Sequence, residues 1–179
     1  MTEVDGRRAR GLERRRQLIA AALRVLEREG LAGFNHRAVA AEAGVALASA
    51  TYHFTGIDDL AVSAMLAATE EFTESLCERA DGVTTLATYA TALADELAHH
   101  RGRVVAGYEL YLLAARRPAL RDAAVAWARA GTEPLLAGAD PVRTRAFLAV
   151  VDSLCLEALL SDAPPPAGDI EALLAHALA

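Results

Sequence analysis

The chain contains no lysine; all 18 of its basic residues are arginine. Aromatic residues make up only 5% of it, and there are two cysteines, Cys77 and Cys155. Cysteines so far apart, outside any ligand spacing, exclude a disulfide framework and a zinc ribbon. They read as small core residues in a reducing cytoplasm. No apolar run approaches the roughly 20 residues that cross a bilayer. The opening stretch MTEVDGRRARGLERRR lacks the apolar centre of a signal peptide. These absences lead us to expect a soluble, cytoplasmic protein with no membrane contact. Runs of β-branched residues bounded by turn residues are missing, which argues against strands. G-x-S-x-G, a phosphate-cradling glycine loop, H-E-x-x-H and C-x-x-C are absent too. The pair His99-His100 is no substitute, because neighbours on a helix point about 100° apart and chelation favours i, i+4 spacing. We therefore expect no enzyme, no cofactor and no metal site.

What the sequence does have is alanine, and a hydrophobic content of 54% over 179 residues. Alanine has the best helix propensity and lets helices approach closely, so the expected fold class is all-α. The net charge of −6 is unevenly spread. Residues 1–57 hold nine Arg against six Asp and Glu, whereas residues 58–179 hold nine against eighteen. A basic head on an acidic body suggests an anionic partner for the head. The domain division expected is 1–57 and 58–179. Residues 1–11, polar and containing Gly6 and Gly11, are expected to be a disordered arm. Its Arg7, Arg8 and Arg10 suit phosphates or a minor groove, or only solvent.

The head is organised around residues 35–54, NHRAVAAEAGVALASATYHF. Two short apolar helical patterns, Arg37 to Ala43 and Leu47 to His53, flank Ala43-Gly44-Val45. Asn35 is a good N-cap for the first, and Gly44 a good stop. Two helices this short with a glycine turn between them form a helix-turn-helix pattern. Neither buries enough surface to stand alone. An amphipathic helix from Leu12 to Glu29, carrying Leu18, Ala22, Val25 and Leu26 on one stripe, is placed to cover them, and Phe34 to plug the small core. Gly30 ends that helix. The second motif helix would enter a DNA major groove, presenting Ser49, Thr51, Tyr52 and His53 to phosphates and base edges. Leu47 and Ala48 at its tip suit thymine methyl groups, while Ala50 and Phe54 face the core. Arg37 and His36 open the first motif helix, and Arg14 and Arg15 open the covering helix near where a phosphate would sit. Each of these also reads as an ordinary solvated side chain.

With Ala20-Ala21-Ala22, Gly30, Arg37, Val39-Ala40, Ala43-Gly44-Val45, Tyr52-His53-Phe54 and Asp58-Asp59-Leu60 in this order and spacing, the head resembles the TetR (tetracycline-repressor-like) family of bacterial transcription regulators. The resemblance covers roughly Arg14 to Leu60. Asn35, Ala48, Thr51 and Ile57 stand where that family more often has threonine, glycine, tyrosine and a phosphate-touching lysine. The resemblance implies DNA contact by Arg14, Arg15, Asn35, His36, Arg37, Leu47, Ala48, Ser49, Thr51, Tyr52 and His53. It also implies a helical body that binds a small-molecule inducer, dimerisation through the last two long helices, and a connecting helix that moves on ligand binding.

The body pattern supports about six helices. The connecting helix begins near Asp58, with Thr55 and Asp58 as a capping box or Gly56 as cap, and runs to about Arg79. Asp81-Gly82 breaks the pattern. Helices from Thr85 to His100 and from Arg103 to Arg117 follow, then one opened by Pro118 and disturbed at Gly131 and Pro134. Asp140-Pro141 is a cap followed by proline at the first helical position, and that helix reaches about Leu160. After Pro164-Pro165-Pro166, Asp169 is expected to cap the last helix. Phe72, Tyr89, Tyr108, Tyr111 and Trp127 are candidate walls of a ligand cavity, with Glu109, His99 and His100 as polar anchors. All of the aromatics fit plain core packing as well. The helix from Pro141 to Leu160 is apolar around most of its circumference, which suggests that a partner chain covers it. Phe147, Val151, Leu154, Leu156, Leu173 and Leu174 are the candidate dimer contacts.

The expected function is a ligand-responsive repressor acting as a homodimer on a palindromic operator in double-stranded DNA. Two alternatives stay open. One is an activator or co-regulator with the same head, and the other is a small-molecule carrier or enzyme with a vestigial head.

Overall fold

The computed structural model describes residues 3–81 and 83–179, residues 3–7 by their backbone alone. Among the described residues there are helices and turns and no strand. The order is α1 (Glu3–Gly33), α2 (His36–Glu42), α3 (Leu47–His53), α4 (Ile57–Arg79), α5 (Leu86–His99), α6 (Arg101–Ala114), a 3-10 turn (Pro118–Leu120), α7 (Arg121–Ala128), α8 (Pro141–Leu160) and α9 (Ala167–Leu178).

Two expectations about the first helix need correction. The helix starts at Glu3, so the arm expected to be disordered is helical as far as it is described; Met1, Thr2 and the Arg7 side chain lie outside the described residues. Arginine and glutamate are good helix formers, and the two glycines near this end cost only about 1 kcal/mol each. At the other end the helical path breaks at Gly30, φ 61°, ψ −166°, a left-handed conformation that glycine adopts without steric cost.

Caps explain most of the other boundaries. Asn35 Oδ1 accepts from the backbone N–H groups of Arg37 and Ala38 at 3.1 and 3.0 Å, starting α2. Thr85 and Thr88 make a reciprocal capping box at the start of α5. Asp140 Oδ1 accepts from Val142 and Arg143, with Pro141 at the first helical position of α8. Gly56 is the cap of α4, and the acidic partner of Thr55 is Asp59, one residue further in than the expected Asp58. Asp169 lies inside the first turn of α9, whose cap position is Pro166. Asp81 ends α4 with a positive φ of 46°; its neighbour Gly82 lies outside the described residues. Arg101, opening α6, donates to the carbonyls of Ala158, Leu159 and Ser161 and closes the C-terminal end of α8.

Two cores hold the chain. The first contains Leu18, Val25, Val39, Ala50 and Phe54 of the head. It runs on through Leu60, Ala64 and Met65 of α4 into Ala106 and Leu110 of α6 and Ala123 of α7. The second packs α5, α8 and α9 around Tyr89, Leu93, Phe147, Leu154, Ile170 and Leu174. The head's core therefore continues into the body, and α6 contributes to both cores through Leu110 and Val104.

Candidate nucleic-acid interface and ligand cavity

The helix-turn-helix presents a compact set of side chains. Val39, Ala40 and Ala50 are buried between the helices, and Gly44 turns the chain at φ 66°. Arg37, Leu47, Ala48, Thr51 and Tyr52 are exposed, Tyr52 to 85%; Ser49, His36 and His53 are half-buried. The Tyr52 and His53 rings meet edge to face, centroids 5.2 Å apart. Leu47 and Tyr52 are bulky and uncovered.

Other candidates are committed elsewhere. Asn35 spends its oxygen on the α2 cap and its amide on the Gly33 carbonyl at 3.0 Å, so it positions α2. Arg15 donates to Ser63 Oγ at 2.9 Å and lies over the Phe54 ring at 5.0 Å. It ties α1 to α4, whereas Arg14 beside it is exposed. Thr51 Oγ1 donates back to the carbonyls of Leu47 and Ala48. His36 Nε2 is buried without a hydrogen-bond partner. The basic excess of the head is partly spent internally: Arg24 and Arg28 reach Glu42 at 2.7 and 3.0 Å. Hydrogen bonds from these two arginines hold the Glu42 carboxyl below the usual carboxylate range.

In the body, a cavity of about 70 Å³ lies between α4, α5, α6, α7 and α8. Phe72, Tyr89, Tyr108 and Trp127 line it. Trp127 meets Tyr108 edge to face at 5.0 Å, and Phe72 meets Tyr89 in the same way at 6.1 Å. Its charged wall was not foreseen: Glu96, Arg103 and Asp152 line it, with Cys155. The sequence signal for these was weak, since each is one polar residue on an otherwise apolar helical stripe. Tyr108 donates to Asp152 Oδ1 at 3.0 Å. Arg103 donates to Glu27 at 2.8 Å, pairs with Glu71 at 3.0 Å and lies 3.8 Å from Glu96. Burial pushes the Glu96 carboxyl up, against the pull of Arg103 and His100. Burial also pushes the Tyr89 and Tyr108 phenols up, and the Cys155 thiol to about 12.

Glu109 is not a cavity anchor. Its Oε2 accepts from the Leu31 N–H at 2.8 Å, on the opposite side of α6. Tyr111 is 42% exposed and stands behind Trp127, outside the cavity. His99 and His100 line not the cavity but an open cleft beside it between α4 and α5, which shares Phe72, Glu96 and Arg103 with it. Of the candidate dimer contacts, Phe147, Val151, Leu154 and Leu174 are buried in the chain's own second core. Intramolecular packing, not a partner, explains their apolar character. Leu156 and Leu173 are half exposed, and Leu160 is 91% exposed.

A helix-turn-helix with an uncovered second helix, joined to a helical body with an aromatic cavity, defines a class of DNA-binding regulator. The chain matches the tetR family of bacterial regulatory proteins over residues 18–64 and the tetracyclin repressor-like C-terminal domain over residues 81–179. It belongs to the TetR family and is a transcriptional regulator, not an enzyme. It is 42% identical to the multidrug binding protein EbrR solved with imidazole, with 93% of this chain and 90% of that one covered and a TM-score of 0.75. A TetR-family member from Streptomyces coelicolor A3 is 40% identical, with 93% and 99% covered and a TM-score of 0.78. The HTH-type nicotine-responsive transcriptional repressor HdnoR of Paenarthrobacter nicotinovorans is 29% identical over 111 residues, 60% of this chain and 57% of that repressor. No helix among the described residues is long and apolar enough to cross a membrane.

Proposed function

We propose that this regulator is a homodimeric repressor of a palindromic operator, released by an aromatic cation bound in the body, and that it acts in the cytoplasm. The observation that carries the reading is the cavity wall, where four aromatic rings and the carboxylates of Glu96 and Asp152 converge. Aromatic faces attract cations, and carboxylates in a desolvated site strengthen the attraction. EbrR, the similar protein, has been solved with proflavin, malachite green and ethidium, all aromatic cations.

Arg37, Leu47, Ala48, Ser49, Thr51, Tyr52, His53 and Arg14 form the DNA surface. Two such surfaces in a dimer reach major grooves about one helical turn apart or slightly more. The outward leucines Leu156, Leu160 and Leu173 form the dimer contact. An inducer with higher affinity for the released state shifts the population away from the DNA-bound one.

The test starts from an operator selected from random duplexes, titrated by fluorescence anisotropy with and without malachite green. Salt-dependent binding to a palindrome, weakened at least tenfold by the dye, is the expected result. Failure to select any palindrome would overturn the repressor reading.

A further inference from the structure

The aromatic cavity has two unlike boundaries. On one side it meets the α4–α5 cleft, which holds about 310 Å³ and shares Phe72, Glu96 and Arg103 with it. On another it backs onto a cleft of about 430 Å³ between α4 and α7, with Thr69 and Ala130 in common.

Toward α7 the wall is backbone. A Cβ built on Gly131, next to Ala130, would lie 2.6 Å from Leu76 Cδ2 and 3.3 Å from Phe72 Cε1. The Thr69 hydroxyl is tied to the Met65 carbonyl at 2.9 Å. Opening this side means moving a packed segment, which a close-packed interior resists. Toward α5 the wall is made of three long side chains. Arg103 Nε donates to Glu27 at 2.8 Å, and its Nη1 pairs at 3.0 Å with Glu71, whose side chain is half exposed. Ion pairs open to water contribute little, so the guanidinium can leave Glu71 by a rotamer change with the backbone in place.

Size and chemistry favour joining these two spaces. Sites for drug-sized ligands occupy roughly 300–1,000 Å³. The cavity alone, about 70 Å³, falls short, and cavity and α4–α5 cleft together reach that range. The inner space is aromatic. The outer one carries the carboxylates of Glu71 and Asp95, with His99 and His100. Glu96 faces both, 3.8 Å from Arg103.

We propose that cavity and cleft form one two-chambered ligand site, divided by the Arg103–Glu71 pair, for a multi-ring aromatic cation. The inference rests on the cation reading above and adds where the rest of the ligand lies. One ring enters the cavity, and an amino-bearing arm stays in the cleft. The ligand's charge takes the place of the Arg103 guanidinium beside Glu71 and Glu96, so both carboxylates keep a counter-cation when the partition opens.

The experiment is a malachite green titration read by quenching of Trp127, the single tryptophan, which lines the cavity. Ser75 and Thr73 both lie on α4, Ser75 lining the α4–α5 cleft and Thr73 the α4–α7 cleft. Ser75→Phe fills the first cleft and should raise the dye Kd about tenfold or more. Thr73→Phe fills the second and should change it less than about threefold. A Ser75→Phe protein that binds dye as the original chain does overturns the proposal. So does a Thr73→Phe protein weakened as much as Ser75→Phe. If Ser75→Phe does not fold, proton NMR of the original chain decides: the ring signals of His99 and His100 should shift on dye saturation, and unmoved signals overturn the proposal. An original chain whose Trp127 the dye does not quench removes the cation reading and the two-chambered site with it. Dye binding that Ser75→Phe leaves intact removes only the outer chamber.

Discussion

Tyr108 and Asp152 bridge the cavity: the phenol on α6 donates to the carboxylate on α8 at 3.0 Å. The carboxylate is thus held among aromatic rings, where a cation would meet it. Asp152→Asn keeps the shape and removes the charge. It should weaken malachite green binding about tenfold, equivalent to about 1.4 kcal/mol, while leaving a neutral aromatic of similar size unaffected. Trp127 quenching measures both.

At the DNA surface, Arg37→Ala and Tyr52→Ala should each weaken operator binding about tenfold. Thermal stability should not change, because both side chains are exposed. If Arg37 neutralises a phosphate, its loss lowers the slope of log K against log salt by about 1. Anisotropy titrations at several salt concentrations measure the slope.

Asn35→Ala should act through folding. It removes the acceptor for two N–H groups at the start of α2 and should cost about 1 kcal/mol, read by urea denaturation. Operator affinity should fall only as far as the folded head is lost.

The outward and inward apolar side chains of the last two helices separate in the same way. Leu160→Glu with Leu173→Glu should shift the chain from dimer to monomer in sedimentation at micromolar concentration and leave the monomer folded. Phe147→Ala, inside the core, should instead cost about 3–5 kcal/mol of stability.

The cysteines give a pH prediction. Cys77 is exposed and Cys155 is buried. One thiol should react with a disulfide reagent in the native protein and two after unfolding. The Cys155 thiol is raised from an ordinary value of 9.0 to about 12, chiefly by burial. The unfolded thiol ionises first, so its contribution to stability is complete below pH 9 and is lost as pH rises towards 12. Denaturation midpoints above pH 9 should fall less steeply in Cys155→Ala.

The sequence alone determined the all-α class, the helix-turn-helix and most helix starts, because these depend on neighbours in the chain. Asn35, Gly44 and Asp140-Pro141 act on backbone groups within a few residues of themselves, and so their effects are visible locally. Only the tertiary structure decided which apolar and charged residues meet. Phe147 and Leu156 look alike on a helix apolar around most of its circumference, and packing against α5 and α9 buries one and leaves the other outside. Glu96, Arg103 and Asp152 read as ordinary surface charges until distant helices cross, and Glu109, expected at the cavity, instead accepts from the Leu31 N–H. Their roles come from long-range contacts, which no local pattern encodes.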